Sequence, residues 1–240
     1  MSSNLLYLAL KLEGPLQSWG FDSQYNRRST GLFPTKSAIA GVCCAALGYA
    51  RGSEAEKKFL IGFREMNMTA IAIPRILKRN SKTGEKTADL KVRRLQDYHT
   101  VQNTKTADGK TKDCHITHRQ YLCDASFGVI LAGSPEIIRA INIALKNPVW
   151  GIWLGRKTCV PSAPVLAGVK ENREDALSLL IGETPIESFT HQLDVETFLE
   201  GRDSLPDQPV SFATDKRSFN PRRVITHQSK ILDLSSADRC

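Results

Sequence analysis

The chain has 240 residues, with 33 Lys and Arg against 25 Asp and Glu, and therefore a formal net charge of +8. A hydrophobic content of 41% and a charged content of 24% exclude a wholly disordered or fibrous chain and leave ample material for a folded core. No stretch reaches the roughly 20 apolar residues of a membrane helix, and six cysteines are too few for a disulfide scaffold, so we expect a cytoplasmic protein.

The first part of the chain predicts four regular elements, each bounded by a capping or breaking residue. In chain order they are a strand over Leu5–Leu12, a helix from the capping residue Thr35 to Gly48, a short helix over Ser53–Phe63 and a strand over Met68–Ile73. The helix that follows Thr35 contains mainly Ala, Gly, Cys and Val. It is therefore slim enough to lie close against a sheet.

A basic segment from Arg75 to Arg119 interrupts this pattern. It holds twelve basic and five acidic residues, a net charge of +7 that leaves +1 for the rest of the chain. Polar turn signals at 82–85 and 107–110, with little apolar periodicity between them, predict a long protruding hairpin or loop. Such dense positive charge favours a polyanion, because phosphate contacts release counterions. A solvated loop is the alternative.

Regular elements resume after the basic segment: a strand over Tyr121–Leu131, a helix over Pro135–Leu145 and a strand over Val149–Leu154. Without the basic segment the order is β-α-β-β-α-β, the ferredoxin-like pattern of an α+β protein. Beyond Pro161, prolines interrupt short segments typical of strands, such as Thr190–Leu199 and 223–225. We expect one domain over residues 1–165 and a smaller C-terminal β-rich part over 166–240.

Four local motifs carry more information than the composition. In chain order they are Leu12–Gly20 (LEGPLQSWG), Arg28–Ser37 (RSTGLFPTKS), Asp97–Val101 (DYHTV) with Arg119–Phe127 (RQYLCDASF), and Leu154–Pro161 (LGRKTCVP). Together, over roughly residues 4–165, they resemble the type I-E branch of the fifth CRISPR-associated (Cas) protein family, of the RAMP superfamily. One departure is Gln120, where the family pattern has Glu. The resemblance implies an RNA-recognition-motif type domain with a β-hairpin thumb inserted at about 75–119.

The resemblance also implies a function and a set of partners. The protein would be a non-catalytic subunit of the Cascade complex that binds the 5′ handle of the CRISPR RNA (crRNA) and caps the backbone of the complex in antiviral defence. The implied partners are the crRNA handle, target DNA held in the complex, the backbone subunit CasC, the large subunit CasA and the other Cascade subunits. No cofactor, metal or membrane is implied.

The first motif predicts an RNA contact directly after the first strand. Gln17, Ser18 and Trp19 offer hydrogen bonds and a stacking face, the combination that holds single-stranded RNA. A half-buried core aromatic is an equally good interpretation of Trp19.

The second and fourth motifs predict phosphate contacts. Arg27, Arg28, Lys36 and Ser37 flank the start of the slim helix, whose N-terminus suits an anion, and the resemblance favours phosphate binding by Arg28, Lys36 and Ser37. Solvated surface charge is the alternative. In the fourth motif a glycine permits close approach of the backbone to a phosphate, and Arg156 with Lys157 neutralises it.

The third motif raises the question of an enzyme. The thumb residues expected to contact guide or target bases are Arg93, Arg94, Tyr98, His99 and Arg119. Tyr98 and His99 also suggest a metal-independent endoribonuclease that processes CRISPR repeat RNA, as in type I-C systems. Neighbouring strand residues face opposite sides, so the two cannot enter one site, and the resemblance assigns guide processing to a separate subunit, CasE. We expect no catalysis.

Four potential metal ligands follow one another at the end of the basic segment. Cys114, His115, His118 and Cys123 have the spacing C-H-x2-H-x4-C, which differs from the paired spacing of structural zinc sites. We therefore expect no metal site.

Overall fold

The computed structural model describes residues 5–20, 22–23, 26–79, 86–89, 92–106, 108–195, 197 and 199–229. The strands are β1 (Leu6–Glu13), β2 (Leu16–Gln17), β3 (Arg27–Arg28), β4 (Asn67–Ala72), β5 (Arg75–Arg79), β6 (Lys86–Asp89), β7 (Arg93–Lys105), β8 (Thr111–Cys123), β9 (Ser126–Gly133), β10 (Leu166–Lys170), β11 (His191–Asp194), β12 (Asp203–Ser211) and β13 (Ser218–His227). The helices are α1 (Lys36–Leu47), α2 (Glu54–Arg64), α3 (Pro135–Lys146) and α4 (Arg173–Ile181), with a 3-10 turn at Ile186–Ser188. Within these described ranges, no helix is both long enough and apolar enough to cross a membrane.

Seven strands form one antiparallel sheet in the order β10-β1-β9-β4-β11-β13-β12. Strands β1, β4, β9 and β10, with the connecting helices α1 and α3, form a β-α-β-β-α-β unit, which confirms the predicted ferredoxin-like α+β fold. The sheet continues across residue 165, because β10 pairs with β1 and the strands β11, β13 and β12 extend the sheet beyond β4.

The core follows from the alternation of β1. Leu6, Leu8, Leu10 and Leu12 are buried on the side covered by α1, α2 and α3, whereas Ala9 faces the opposite side, where α4 packs. Burial on both faces explains why β1 is an almost continuous apolar run.

Helix α1 begins and ends where the sequence predicts. The Thr35 hydroxyl accepts the Ala38 amide at 3.3 Å, and Gly48 adopts a left-handed conformation with φ of 72° at the C-terminus. The short helix α2 is also confirmed.

The strand predicted over Val149–Leu154 is wrong. The amides of Val149 and Trp150 bond instead to the carbonyl oxygens of Ala46 and Ala45, at 3.0 and 3.1 Å. These carbonyls belong to the last turn of α1, where helical partners run out. The Ala45 oxygen also accepts the Gly48 amide at 3.3 Å, so this segment and Gly48 together cap α1. The sheet position next to β1 belongs to β10.

The predicted strand over Tyr121–Leu131 consists of two strands that belong to different sheets. β8 ends at Cys123, and β9 begins at Ser126. Between them Asp124 has a φ of 51°, a conformation that Asp tolerates better than most residues. This bend separates the thumb from the main sheet.

The basic segment forms hairpins, as predicted. β7 and β8 pair over their length, and a turn with Gly109 at a φ of 81° closes the tip, whereas β5 pairs with β6. The turn predicted at 82–85 lies outside the described residues. At the base of the β7–β8 hairpin, which we call the thumb, β8 also pairs with β2 and, in parallel, with β3.

Four buried charges connect the C-terminal strands to α1. Lys36 Nζ lies 3.1 Å from Asp194 Oδ2, and Arg222 donates to both oxygens of Asp207 at 2.8 and 2.7 Å and also to Asp194. Asp207 Oδ2 in turn accepts the backbone amide of Lys36 at 2.8 Å. We call Lys36, Asp194, Asp207 and Arg222 the buried quartet. Because its two positive and two negative charges balance, it links α1, β11, β12 and β13 without leaving a net charge inside the protein.

Candidate nucleic-acid interface

A groove of about 990 Å³ runs between α1, the loop 150–157, β3 and the connection from β12 to β13. We call it the basic groove because six cationic side chains line it: Arg28, Arg51, Arg119, Arg156, Lys157 and Arg217. Its volume is at the upper end of the range of about 300–1,000 Å³ that ligand sites occupy. Positive charge from distant parts of the chain therefore meets along one surface.

The acidic residue Glu56 is the one carboxylate among the described residues that line this groove. Its side chain is fully buried and accepts the backbone amides of Gly52 and Phe212, the latter at 3.1 Å. These bonds stabilise the carboxylate by local dipoles. Among the described residues, therefore, no carboxylate at the groove surface competes with an anionic ligand for the groove cations.

Arg156 holds two walls of the basic groove together. Its Nη1 donates to the carbonyl of Gln120 at 3.2 Å and its Nη2 to the carbonyl of Arg28 at 2.8 Å. Its guanidinium also lies 4.8 Å from the ring centroid of Tyr121. Arg156 thus ties its own loop to β8 and β3 and still contributes its charge to the groove.

Gly155 has a structural role that differs from the expected phosphate approach. A Cβ at this position would lie 1.8 Å from the Ser18 carbonyl oxygen, and φ is +99°. The Ser18 amide also bonds to the carbonyl of Leu154 at 3.0 Å. The glycine is required because two segments of this chain approach each other so closely.

The structure brings together several residues that the sequence proposes for RNA binding. Arg28, Ser37, Arg156 and Lys157 line the basic groove, and Arg119 joins them from the thumb. Ser18 also lies at the groove wall, but it is only 3% exposed and its hydroxyl donates to the carbonyl of Gln120 at 3.1 Å. Arg27 is exposed and pairs with His118 on β8, outside the groove lining.

Three expected RNA contacts are instead buried inside the protein. Gln17 Nε2 donates to the carbonyls of Leu12 and Ala125 at 3.0 and 2.7 Å, and the fully buried Trp19 donates its Nε1 proton to Gln17 at 3.1 Å. The side chain of Lys36 is 3% exposed and belongs to the buried quartet. Because neither a base nor a phosphate can reach them, we correct the expectation for Gln17, Trp19 and Lys36.

The thumb residues expected to contact bases are spread along the hairpin and over both of its faces. Tyr98 is 60% exposed and contacts the His118 ring edge-on, with centroids 5.3 Å apart, whereas His99 lies opposite Thr117 on the other face. Arg93 and Arg94 lie at the base, beside a second and mainly apolar cavity of about 700 Å³. Tyr98 and His99 therefore do not share a site.

Sequence reasoning missed two arginines and two tryptophans that line the groove: Arg51, Arg217, Trp150 and Trp153. Trp150 and Trp153 are 46% and 38% exposed, and both belong to the segment that was predicted as a strand. Two tryptophans directly before a Gly-Arg-Lys run are a signal that could have found this surface, because aromatic and basic residues interleave where single strands bind. Arg51 and Arg217 belong to no motif.

The candidate metal ligands do not converge. Cys114 and His115 are neighbours on β8 and face opposite sides of the hairpin. Over the part of the chain that the structure describes, no three His, Cys, Asp or Glu side chains are close enough to hold a metal ion.

Comparisons with known proteins agree with one another. A family model described as "CRISPR-associated protein (Cas_Cas5)" matches residues 7–225. The curated "CRISPR system Cascade subunit CasD" of Escherichia coli (strain K12) is 32% identical over 182 residues, 72% of this chain and 75% of that protein. A solved chain from a "CRISPR RNA-guided surveillance complex" has a TM-score of 0.70 and 26% identity, over 92% of this chain and 88% of its own. Another, "Crystal structure of Cas protein", has a TM-score of 0.62 and 28% identity, over 93% and 96%.

Proposed function

Because the chain belongs to the CRISPR-associated Cas5 family, we propose that it is a non-catalytic subunit of a type I-E Cascade complex. It binds the 5′ handle of the crRNA and caps the backbone of the complex in antiviral defence. The E. coli relative named as Cascade subunit CasD and the fold shared with a chain of a surveillance complex support this proposal.

The basic groove is the observation that carries the proposal. Six cations from separate parts of the chain line it, each oxygen of its one described carboxylate accepts a backbone amide, and Trp150 and Trp153 are partly exposed. Single-stranded RNA is held by this combination of backbone neutralisation and base stacking. In this proposal the bound strand is the 5′ handle of the guide.

The thumb supplies the contacts with the rest of the assembly. In this proposal Arg93, Arg94, Tyr98, His99 and Arg119 contact guide and target bases, with the apolar ring of Tyr98 as a wedge. The other partners are the backbone subunit CasC, the large subunit CasA and the remaining Cascade subunits, in the cytoplasm.

The absence of catalysis is part of the proposal. A metal-independent ribonuclease needs a base and a charge-stabilising group on the same scissile phosphate. Tyr98 and His99 face opposite sides of the thumb, so they cannot act together on one phosphate. The geometry therefore favours nucleotide contact over strand cleavage.

Incubation of the full-length protein with unprocessed repeat RNA in EDTA tests this proposal. We expect the RNA to be bound and to remain intact on a denaturing gel, with the His99→Ala variant indistinguishable from the wild type. Site-specific cleavage that disappears in His99→Ala would contradict the proposal and establish the type I-C-like ribonuclease.

A further inference from the structure

We infer that Arg28, Arg51 and Arg217 form one phosphate-binding cluster in the basic groove, which holds the sugar-phosphate backbone of single-stranded RNA. We call these three residues the arginine cluster. The inference rests on the proposed function and adds to it the residues that hold the strand. Arg51 and Arg217 lie outside all four sequence motifs.

Tertiary packing brings three separate segments of the chain together at the groove. Arg28 lies in β3, Arg51 follows the C-terminus of α1, and Arg217 immediately precedes β13. All three line the same groove. One bound strand can therefore contact all three side chains.

Glu56 anchors two of these segments. The carboxylate of Glu56 accepts the Gly52 amide on one side and the Phe212 amide on the other. The two loops also touch, since a Cβ on Gly52 would lie 3.1 Å from the Cβ of Ala213. Arg51 and the connection that carries Arg217 are thus positioned by one buried group.

The electrostatic surroundings of the three arginines favour an anionic ligand. None of the ion pairs between described residues includes Arg28, Arg51 or Arg217. Burial lowers the pKa of Arg217, and the positive charges of Arg51 and Arg28 lower it further. Like charges gathered without a carboxylate partner repel one another, and a bound anion relieves that repulsion.

The size and the aromatic lining of the groove indicate the shape of its ligand. The guanidinium of Arg217 lies over the ring of Phe219, 5.1 Å from its centroid, and a stacked guanidinium keeps its in-plane N–H donors for phosphate oxygens. A groove of about 990 Å³ with exposed Trp150 and Trp153 is larger than a lone phosphate requires. It suits a strand whose phosphates meet arginines and whose bases meet aromatic rings.

The test measures the salt dependence of RNA binding by the full-length chain. The probe is a 15-nucleotide single-stranded RNA with a 3′ fluorescein, titrated between 50 and 200 mM KCl. Arg51→Gln and Arg217→Gln should each raise Kd roughly tenfold and lower the slope of log Kd against log salt by about 0.7, the value for one lost contact on a single strand. Arg139→Gln, exposed on α3 outside the groove, should match the wild type.

The charge-conserving variants separate electrostatic from structural effects. Arg51→Lys and Arg217→Lys should retain the wild-type slope, because the charge that displaces counterions remains. The arginine cluster is refuted if wild-type protein binds RNA and the double variant R51Q/R217Q keeps the same slope, and the proposed function then stands. It is also refuted if the Lys variants lose as much slope as the Gln variants. Wild-type protein that does not bind RNA would remove the proposed function as well.

Discussion

At the scale of single residues, two cations of the second motif have opposite surroundings. Arg28 is exposed at the wall of the basic groove, and its carbonyl receives the guanidinium of Arg156. Lys36 reaches into the protein, where Asp194 and the carbonyl of Met66, at 2.6 Å from Nζ, surround its ammonium. A positive charge next to a helix N-terminus is therefore insufficient to identify a phosphate ligand, because the partner of Lys36 lies far away in the sequence.

The variant Lys36→Met tests this difference. It removes one positive charge from the buried quartet and leaves an unbalanced carboxylate, so we expect the free energy of unfolding in urea to fall by about 3–5 kcal/mol. The salt dependence of RNA binding by the folded fraction should not change. Lys57→Met, which removes an exposed pair with Glu54 on α2, should alter stability by less than about 0.5 kcal/mol. A reduced salt slope at unchanged stability would show that Lys36 binds phosphate after all.

At the scale of elements, α1 shows what a local pattern can establish. Thr35, Gly48 and the small residues between them predict its limits, because capping and helical spacing involve only neighbours in the chain. The segment Val149–Leu154 has the composition of a strand but serves as a cap for α1, because the carbonyls of Ala45 and Ala46 come within its reach only after folding. Local composition does not reveal which partner a backbone amide will find.

The two neighbouring thiols of α1 predict an alkaline loss of stability. Burial and the adjacent Cys44 raise the pKa of Cys43, and burial together with Glu56 raises the pKa of Cys44 to about 12. Unfolded thiols ionise near their ordinary value of 9.0, so unfolding releases protons above that pH. The free energy of unfolding should therefore fall as pH rises through 9, by up to about 1.4 kcal/mol per pH unit for each thiol.

Urea unfolding of Cys43→Ala between about pH 8.5 and 10 checks this expectation. The variant should lose stability at neutral pH, because a buried side chain is shortened, but its stability should decline less steeply with pH than that of the wild type. Burial lowers the pKa of Lys36, and this shift makes the free energy of unfolding rise with pH up to about 10.5. The effect is the same in the wild type and in Cys43→Ala. Cys114→Ala, at an exposed position on the thumb, is the control. Identical pH slopes in Cys43→Ala and wild type would contradict the thiol assignment.

At the scale of the whole molecule, one sheet connects the ferredoxin-like unit to the C-terminal part. The ferredoxin-like order and the thumb were predictable, because strand alternation, turn residues and a block of charge are each visible in a short window. The extension of the sheet by β11, β13 and β12 was not, because the buried quartet that fixes it joins Lys36 to Asp194 and Arg222 across most of the chain.

The residues of the basic groove likewise include some that the sequence predicts and some that it does not. The positions of Arg28, Ser37 and Arg156 at the groove were predictable because their motifs lie next to the main strands and helices. Arg51 and Arg217 were not, because only the packing of the Gly52 loop against the connection from β12 to β13 brings them to the groove. Net charge indicated a polyanion, but most of that charge lies in the basic segment from Arg75 to Arg119, of whose described residues only Arg119 lines the groove.

Photo-crosslinking of the assembled complex tests the central claim, that the basic groove holds the 5′ handle of the guide. The guide RNA would carry 4-thiouridine in its handle, and mass spectrometry would identify the linked residues after irradiation. We expect crosslinks to Trp150, Trp153 and the peptide that contains Arg28, all at the groove. Handle crosslinks confined to other subunits, or to the side of the sheet that α4 covers, would contradict it.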